Sequence, residues 1–150
     1  MKFFGKSLRT TRFHLIPLTV LVLTSCTPLV SQFDATAYRD ATSLKVDSLA
    51  VMNEAATPYK LHRKEVSKLK VELAKAYEYV KGIPHNEISS QMWERLLDPK
   101  GSLLGGYLQR WKEKGSLSPA LVKDEEKQVS DGFDKIICLE ANKKETTKCR

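Results

Sequence analysis

The chain has 150 residues, with 25 basic and 18 acidic residues and a formal net charge of +7 at pH 7. Residues 1–25 hold four of the basic residues and none of the acidic ones, so the remaining 125 residues carry a net charge of only +3. That charge does not indicate a nucleic-acid-binding protein, and the length suits one domain with its own core.

The amino-terminal segment has the order of a secretory signal peptide. Basic residues without acids occupy residues 1–14, an apolar run follows over residues 15–23, and the small residues Thr24 and Ser25 come next. The apolar run is shorter than the roughly 20 residues that a membrane-spanning helix needs. A buried core helix is the alternative, but Pro17 would damage its interior. We therefore expect residues 1–25 to be a cleaved signal peptide.

The end of this segment, Leu23-Thr24-Ser25-Cys26, resembles the lipobox of bacterial lipoproteins. The resemblance covers only the first 26 residues. It implies that the Cys26 sulfur receives a diacylglycerol and that cleavage before Cys26 leaves a lipidated amino terminus. Fatty acyl chains such as palmitate would anchor the protein, at about 0.8 kcal/mol per buried methylene. The alternative is an ordinary cleaved signal that leaves a free thiol at Cys26.

The same resemblance implies a location in the cell envelope. Enteric lipoproteins that stay in the inner membrane tend to carry Asp after the lipidated cysteine, and this chain has Thr27 there. We therefore expect the outer membrane rather than the inner membrane, with the body of the protein in the periplasm or outside the cell. Residues 26–33 are expected to form a lipidated tether, residues 34–141 a helical domain and residues 142–150 a polar tail.

Apolar residues recur at spacings of three and four along the first half of the mature chain. They predict a helix from about Asp34 to Ala55 and a second helix that runs to Gly82. Thr57 is expected to cap the second helix and Pro58 to open it, whereas Gly82 is expected to end it in a left-handed conformation. One long helix over residues 34–81, kinked at Pro58, is the alternative. Matched helix lengths favour a hairpin.

Lysines and glutamates alternate along the second predicted helix. Each glutamate has a lysine three residues further on, a spacing that allows ion pairs on a helix surface. The three pairs are Glu65 with Lys68, Glu72 with Lys75 and Glu78 with Lys81. The interleaved acids favour a solvated helix face over a basic binding surface.

The rest of the chain predicts two short helices and one long helix. Ser90 and Ser102 are expected to cap the short helices, and Gly105-Gly106 indicates either close backbone approach or a hinge. Ser118 is expected to cap the last helix. Its inner face is predicted to carry Val122, Val129, Phe133, Ile136 and Ile137. Because no strand-like alternation occurs, the predicted fold is an all-α small helical bundle of about three long helices and two short ones.

Five residues leave a choice between a structural and a functional role. Trp93, Tyr107 and Trp111 form either an exposed interaction patch or part of the core, and the core is favoured because large aromatic side chains stabilise small bundles. Cys138 and Cys149 would lie in an oxidising compartment, where they can form a disulfide. The alternative is a buried Cys138 and a free Cys149.

The mature chain lacks the sequence patterns of familiar catalytic and cofactor sites. No catalytic, metal-binding or cofactor-binding residue is predicted, and no enzymatic activity. His62 could ligate haem together with Met52, but a hydrogen-bonded core histidine is favoured. The sequence predicts a membrane-anchored, non-catalytic module that acts as a scaffold or inhibitor of an unidentified envelope protein. The alternative is a carrier bundle for a lipid or haem.

Overall fold

The computed structural model describes residues 31–143, and this part of the chain contains helices and no strand. The helices are α1 (Ala35–Asn53), α2 (Tyr59–Gly82), α3 (Glu87–Leu97), α4 (Leu104–Lys114) and α5 (Pro119–Asn142). A 3-10 turn, Glu54–Ala56, follows α1. The predicted all-α bundle of three long and two short helices is confirmed.

The helices form a four-cornered bundle with one additional short helix. Both α1 and α3 pack against α2 and α5, so α2 and α5 occupy opposite corners. The short helix α4 contacts α2 and α3 and covers the side of the bundle beside α2. None of the described helices is both long enough and apolar enough to cross a membrane.

The apolar faces predicted from the sequence form the core. On α2 the predicted face contributes Leu69, Leu73 and Val80, and on α5 it contributes Val129 and Phe133, all of which are buried. The spacing of these residues places them on one side of each helix. Removal of this apolar surface from water is the main force that holds the helices together.

The chain reverses direction at Pro58, so α1 and α2 form a hairpin and the kinked-helix alternative is wrong. The turn is fastened by residues that follow much later in the sequence. The backbone N–H of Leu117 donates to the Ala55 carbonyl at 2.8 Å, and the Trp111 indole N–H donates to the Thr57 carbonyl at 3.1 Å. These bonds satisfy backbone carbonyls that the end of α1 leaves free.

One predicted helix cap, Ser118, is confirmed, and the structure adds a cap at Asp34 that the sequence analysis did not name. The Asp34 carboxylate accepts hydrogen bonds from the backbone N–H groups of Thr36 and Ala37, at 2.8 and 2.9 Å. The Ser118 hydroxyl accepts a hydrogen bond from the Leu121 N–H at 3.3 Å. Ser118 directly precedes the proline that opens α5. Both caps satisfy N–H groups that have no partner within their own helix.

The predictions for the two ends of α2 are wrong in detail. Helix α2 begins at Tyr59, with Pro58 rather than Thr57 at the capping position. The Thr57 hydroxyl instead donates to the Glu54 carbonyl at 2.7 Å, which closes the preceding 3-10 turn. Gly82 ends the helix without a left-handed conformation, because the chain continues in an extended conformation toward a proline.

The predicted caps of the two short helices are also wrong. Helix α3 begins at Glu87, after Asn86, and the Ser90 hydroxyl inside its first turn donates back to the Asn86 carbonyl at 3.0 Å. Helix α4 begins after Leu103, and Ser102 does not cap it. Serine favours helix starts in general but also bonds to carbonyls within a helix, so the residue type alone does not fix the boundary.

The two adjacent glycines of α4 allow close backbone approach, which was one of the two predicted alternatives, the other being a hinge. A Cβ atom on Gly105 would lie 2.1 Å from the carbonyl oxygen of Leu97, and one on Gly106 would lie 1.8 Å from that of Gly101. A Cβ atom cannot lie that close to an oxygen atom to which it is not bonded. The backbone of α4 therefore lies directly against the end of α3 and the loop between them.

We predict that Gly105→Ala lowers the free energy of unfolding by about 1–3 kcal/mol, because the Leu97 backbone must move to admit the methyl group. The control is Gly82→Ala, since a Cβ there meets no atom within 4 Å. Urea unfolding followed by circular dichroism measures both variants. Equal stability of the Gly105 and Gly82 variants would contradict the close approach.

Candidate functional site

The three aromatic residues that could have formed an exposed patch lie inside the bundle. Trp93, Tyr107 and Trp111 each have 0% of their surface exposed. The Trp93 ring meets the Phe133 ring edge to face, with the centroids 5.9 Å apart. The core reading is therefore confirmed, and these residues form no interaction patch.

Two of these aromatic side chains also bind backbone groups at the Pro58 end of the bundle. The Tyr107 hydroxyl donates to the Met52 carbonyl at 2.8 Å, and burial raises the pKa of this phenol. The Trp111 ring packs edge to face on the Tyr59 ring, 5.3 Å between centroids. Tyrosine and tryptophan suit this end of the core because each fills apolar space and also donates a hydrogen bond to a backbone carbonyl.

His62 has a structural role in the same region. Its Nε2 atom lies 2.7 Å from the Thr57 hydroxyl, and its Nδ1 atom lies 3.0 Å from the Glu65 carboxylate. Both ring nitrogens are thus engaged by protein groups, and the Met52 side chain is buried. Residues 31–143 also contain no cluster of three or more His, Cys, Asp or Glu that could hold a metal ion.

Cys138 forms a disulfide whose partner lies outside residues 31–143. The chain has two other cysteines, Cys26 and Cys149, and both fall outside the described residues. Pairing of Cys138 with Cys149 stays a prediction, as does the lipidation of Cys26. The two predictions are linked, because a Cys26 sulfur that carries a lipid cannot also form a disulfide.

A buried ion pair that the sequence analysis missed lies at the opposite end of the bundle from Pro58. The Lys143 ammonium donates to one Glu140 carboxylate oxygen at 2.7 Å, and the Ser89 hydroxyl donates to the other oxygen. The Glu140 and Lys143 side chains are 0% and 1% exposed. Glu140 continues the buried face of α5, and this position among apolar residues was the signal that could have revealed it.

The start of the described chain is bound to this polar cluster. The Ser31 hydroxyl donates to the Asn86 side-chain oxygen at 2.9 Å, and the Ser31 N–H donates to the His85 carbonyl at 2.8 Å. The Asn86 amide in turn donates to the Val80 carbonyl at 2.9 Å. Lys143 bonds to the same Asn86 oxygen. The bundle therefore begins before residue 34, which was its predicted start.

An open groove between α2 and α4, here called the α2–α4 groove, runs over leucines that are themselves buried in the core. Its apolar stretch has a volume of about 290 Å³ and is lined by both helices. The lining residues include Leu73, Ala74 and Tyr77 of α2 and Leu104 and Leu108 of α4. Lys70 stands at its edge.

A second stretch, of about 580 Å³, lies along the same seam near the Pro58 turn. Lys60 and Arg63 of α2 face Lys112 of α4 across it. The turn is held to α4 by the Tyr59 N–H, which donates to the Gly115 carbonyl at 2.6 Å. Gly115 has φ +81°, a conformation that glycine adopts without strain.

The charges of α2 are divided between two sides of the helix. Glu65, Lys68 and Glu72 line a different groove, beside α1, whereas Lys60, Arg63 and Lys70 lie on the side of α4. The sequence spacing alone suggested even interleaving. The charged residues of α2 on the side of α4 are therefore all basic, and their exposure agrees with the prediction of a solvated helix face.

Two of the three predicted ion pairs on α2 are confirmed. Lys75 lies 2.8 Å from Glu72, and Lys81 lies 3.9 Å from Glu78. The third is wrong, because the carboxylate of Glu65 contacts His62. The two confirmed pairs are largely exposed, so each contributes only a few tenths of a kcal/mol.

The cations of the α2–α4 groove form no ion pair with an acid in the part of the chain that the structure describes. Among the ion pairs of residues 31–143, none includes Lys60, Arg63, Lys70 or Lys112. Partial burial lowers the pKa of Lys70, and the positive charge of Lys112 lowers it further. The seam between α2 and α4 thus carries positive charges that repel one another, above leucines that are already buried in the core.

Comparisons with known proteins found no matching family, no matching characterised protein and no matching solved structure.

Proposed function

We propose that the chain is a lipid-anchored lipoprotein of the bacterial envelope whose helical bundle is a non-catalytic interaction module, a scaffold or an inhibitor of another envelope protein. The lipobox-like sequence Leu23-Thr24-Ser25-Cys26 supplies the anchor. The observation that carries the interaction role is the row of exposed cations along the seam of α2 and α4. Lys60, Arg63, Lys70 and Lys112 form no ion pair within residues 31–143, and unpaired like charges on one surface suit a partner of opposite charge.

The attachment of Ser31 orients the bundle relative to the proposed anchor. Ser31 is fixed to the Asn86 loop and follows Cys26 by five residues, which span at most about 17 Å when fully extended. The end of the bundle that carries Ser31, Glu140 and Lys143 therefore lies near the membrane surface. Helix α2 leads away from it over 24 residues, a length of about 36 Å. The basic stretch near Pro58 thus lies at the end remote from the membrane.

A lipid on Cys26 would also determine which cysteine pairs with Cys138. Cys138 is disulfide-bonded, and only Cys26 and Cys149 remain as partners in this chain. With a thioether on the Cys26 sulfur, Cys149 is the partner of Cys138. The bond would then join the carboxyl-terminal residues to the end of α5 near the membrane.

We predict that cells supplied with labelled palmitate incorporate the label into the wild-type protein and not into Cys26→Ser. The substitution removes the sulfur atom that, according to the lipobox resemblance, accepts the lipid. Cys149→Ser is the matched control, because it also removes one cysteine and should keep the label. Gel electrophoresis with detection of the label measures all three proteins. Label retained by Cys26→Ser, or absent from the wild type, would refute the anchor.

A further inference from the structure

We propose that the end of the bundle that carries Ser31 rests on the lipid surface, with exposed tyrosine and isoleucine side chains in the headgroup region of the bilayer. This inference rests on the proposed anchor at Cys26 and goes beyond it, because it adds a contact between the folded bundle and the membrane. The contact surface, here called the lipid-facing end, consists of Tyr38, Tyr79, Pro84 and Ile88.

The exposed tyrosines of residues 31–143 both belong to the lipid-facing end. Tyr38 and Tyr79 are 36% and 42% exposed, whereas the other three tyrosines of the chain are buried or half-buried. The Tyr79 hydroxyl donates to the Asp34 carboxylate at 2.9 Å, which places this ring beside the start of α1. Tyr38 lies one turn further along α1, and its ring centroid is 6.2 Å from that of Phe33. Tyrosine suits a membrane surface because its ring is apolar and its hydroxyl stays in contact with water.

The loop between α2 and α3 supplies the apolar tip of this end. Pro84 is exposed in the loop, and Ile88, in the first turn of α3, is 52% exposed. Ser31 is bound to the same loop, because its N–H donates to the His85 carbonyl at 2.8 Å. The exposed apolar side chains of the tip therefore lie beside the point where the chain enters from the proposed anchor.

The short distance to the anchor determines what covers this surface. Five residues lead from Cys26 to Ser31, so a lipid on Cys26 holds the tip within about 17 Å of the membrane. A surface held that close meets lipid at a high effective concentration, so a contact of small area is enough to keep it there. The occupant of the lipid-facing end is therefore the bilayer that holds the anchor, rather than a soluble partner.

The charges beside the two exposed tyrosines are paired, so the contact depends on apolar side chains. Lys81 lies 3.9 Å from Glu78, and Arg39 lies 3.4 Å from Asp40. The cluster of unpaired cations lies near the Pro58 turn, at the other end of α2. Attraction between cations and anionic lipid is therefore weak at the lipid-facing end. We expect the contact to form on uncharged lipid and to be insensitive to the fraction of anionic lipid.

The test uses the full lipidated chain in vesicles of uncharged phosphatidylcholine, with the photoreactive residue p-benzoylphenylalanine at one exposed position. The probe replaces Ile88 in one variant and Leu61 in the matched control, since Leu61 is also apolar and exposed but lies at the Pro58 end of α2. After irradiation, we expect mass spectrometry to find at least about fivefold more phospholipid bound at position 88 than at position 61. A chain that does not float with the vesicles would refute the anchor and with it this inference. A chain that floats but gives equal yields at the two positions would refute the contact alone.

A second comparison tests the role of the exposed tyrosines. Tyr38→Ser, combined with the probe at position 88, should lower the yield of bound lipid about threefold or more. Val46→Ser changes another exposed residue of α1, about 12 Å further along the helix, and should leave the yield unchanged. Phosphatidylglycerol added to the vesicles should also leave it unchanged. An unchanged yield in Tyr38→Ser, or a yield that requires phosphatidylglycerol, would overturn the proposal. Cross-linked dimers in place of lipid adducts would also overturn it and would make this surface an interface between two copies.

Discussion

Replacement of Trp111 by alanine is expected to lower the free energy of unfolding by about 3–5 kcal/mol. The indole is fully buried, packs against Tyr59 and His62, and donates its N–H to the Thr57 carbonyl. The substitution removes these contacts, leaves a cavity and deprives a backbone carbonyl of its donor. Urea unfolding monitored by circular dichroism measures the loss.

Trp111→Phe separates the contribution of the buried ring from that of the indole hydrogen bond. It keeps most of the buried ring but removes the N–H that bonds to Thr57, so a smaller loss of about 1–3 kcal/mol is expected. A loss below about 1 kcal/mol in Trp111→Ala would contradict the position of this residue in the core.

The second large effect is expected at the buried ion pair near the carboxyl-terminal end of α5. Glu140→Ala should lower the free energy of unfolding by about 3–5 kcal/mol, because it leaves the Lys143 ammonium buried without its carboxylate. It also leaves the Ser89 hydroxyl without its acceptor. Urea unfolding of the wild type and the variant gives the difference.

A double variant and an exposed pair serve as controls for this prediction. Glu140→Leu combined with Lys143→Met replaces both charges by apolar groups of similar volume, and should recover most of the lost stability. Glu72→Ala breaks a pair of the same spacing on the exposed surface of α2, and should cost less than about 1 kcal/mol. Equal effects of Glu140→Ala and Glu72→Ala would mean that the Glu140 pair is not buried in solution.

The helices and their buried faces could be predicted because they depend on local spacing. Residues such as Leu69, Leu73 and Val129 recur at the period of a helix, and the structure buries all of them. The cap at Ser118 was predicted because its side-chain oxygen lies next to the helix start in the sequence, and the cap at Asp34, which was not named, uses the same local geometry.

The turn at Pro58 could not be predicted with the same ease, because its stability comes from distant residues. The link between α1 and α2 lacks the residues typical of tight turns. Its carbonyl groups are satisfied by Leu117 and by the Trp111 indole, which approach only when the whole bundle has formed. The start of α3 has a similar origin, since Asn86 is held by Ser31 and Lys143 from other parts of the chain.

The candidate site was the least predictable feature. Sequence spacing located the lysines and glutamates of α2 but not the neighbours that define its two sides. The packing of α4 against α2 places Lys70 and Arg63 in a basic groove, and the packing of α1 places Glu65, Lys68 and Glu72 in another groove of mixed charge. The aromatic residues Trp93 and Trp111 were an ambiguous signal for the same reason, since composition does not distinguish core from surface.

The proposal that Cys26 carries the lipid anchor can be tested through the fate of the three cysteines. Mass spectrometry of the non-reduced protein extracted from envelopes gives the amino terminus, the acyl groups and the disulfide partner in one experiment. We predict a chain that begins at Cys26, carries acyl mass on that residue and contains a Cys138–Cys149 disulfide. A Cys26–Cys138 disulfide, or an unmodified thiol at Cys26, would contradict the claim.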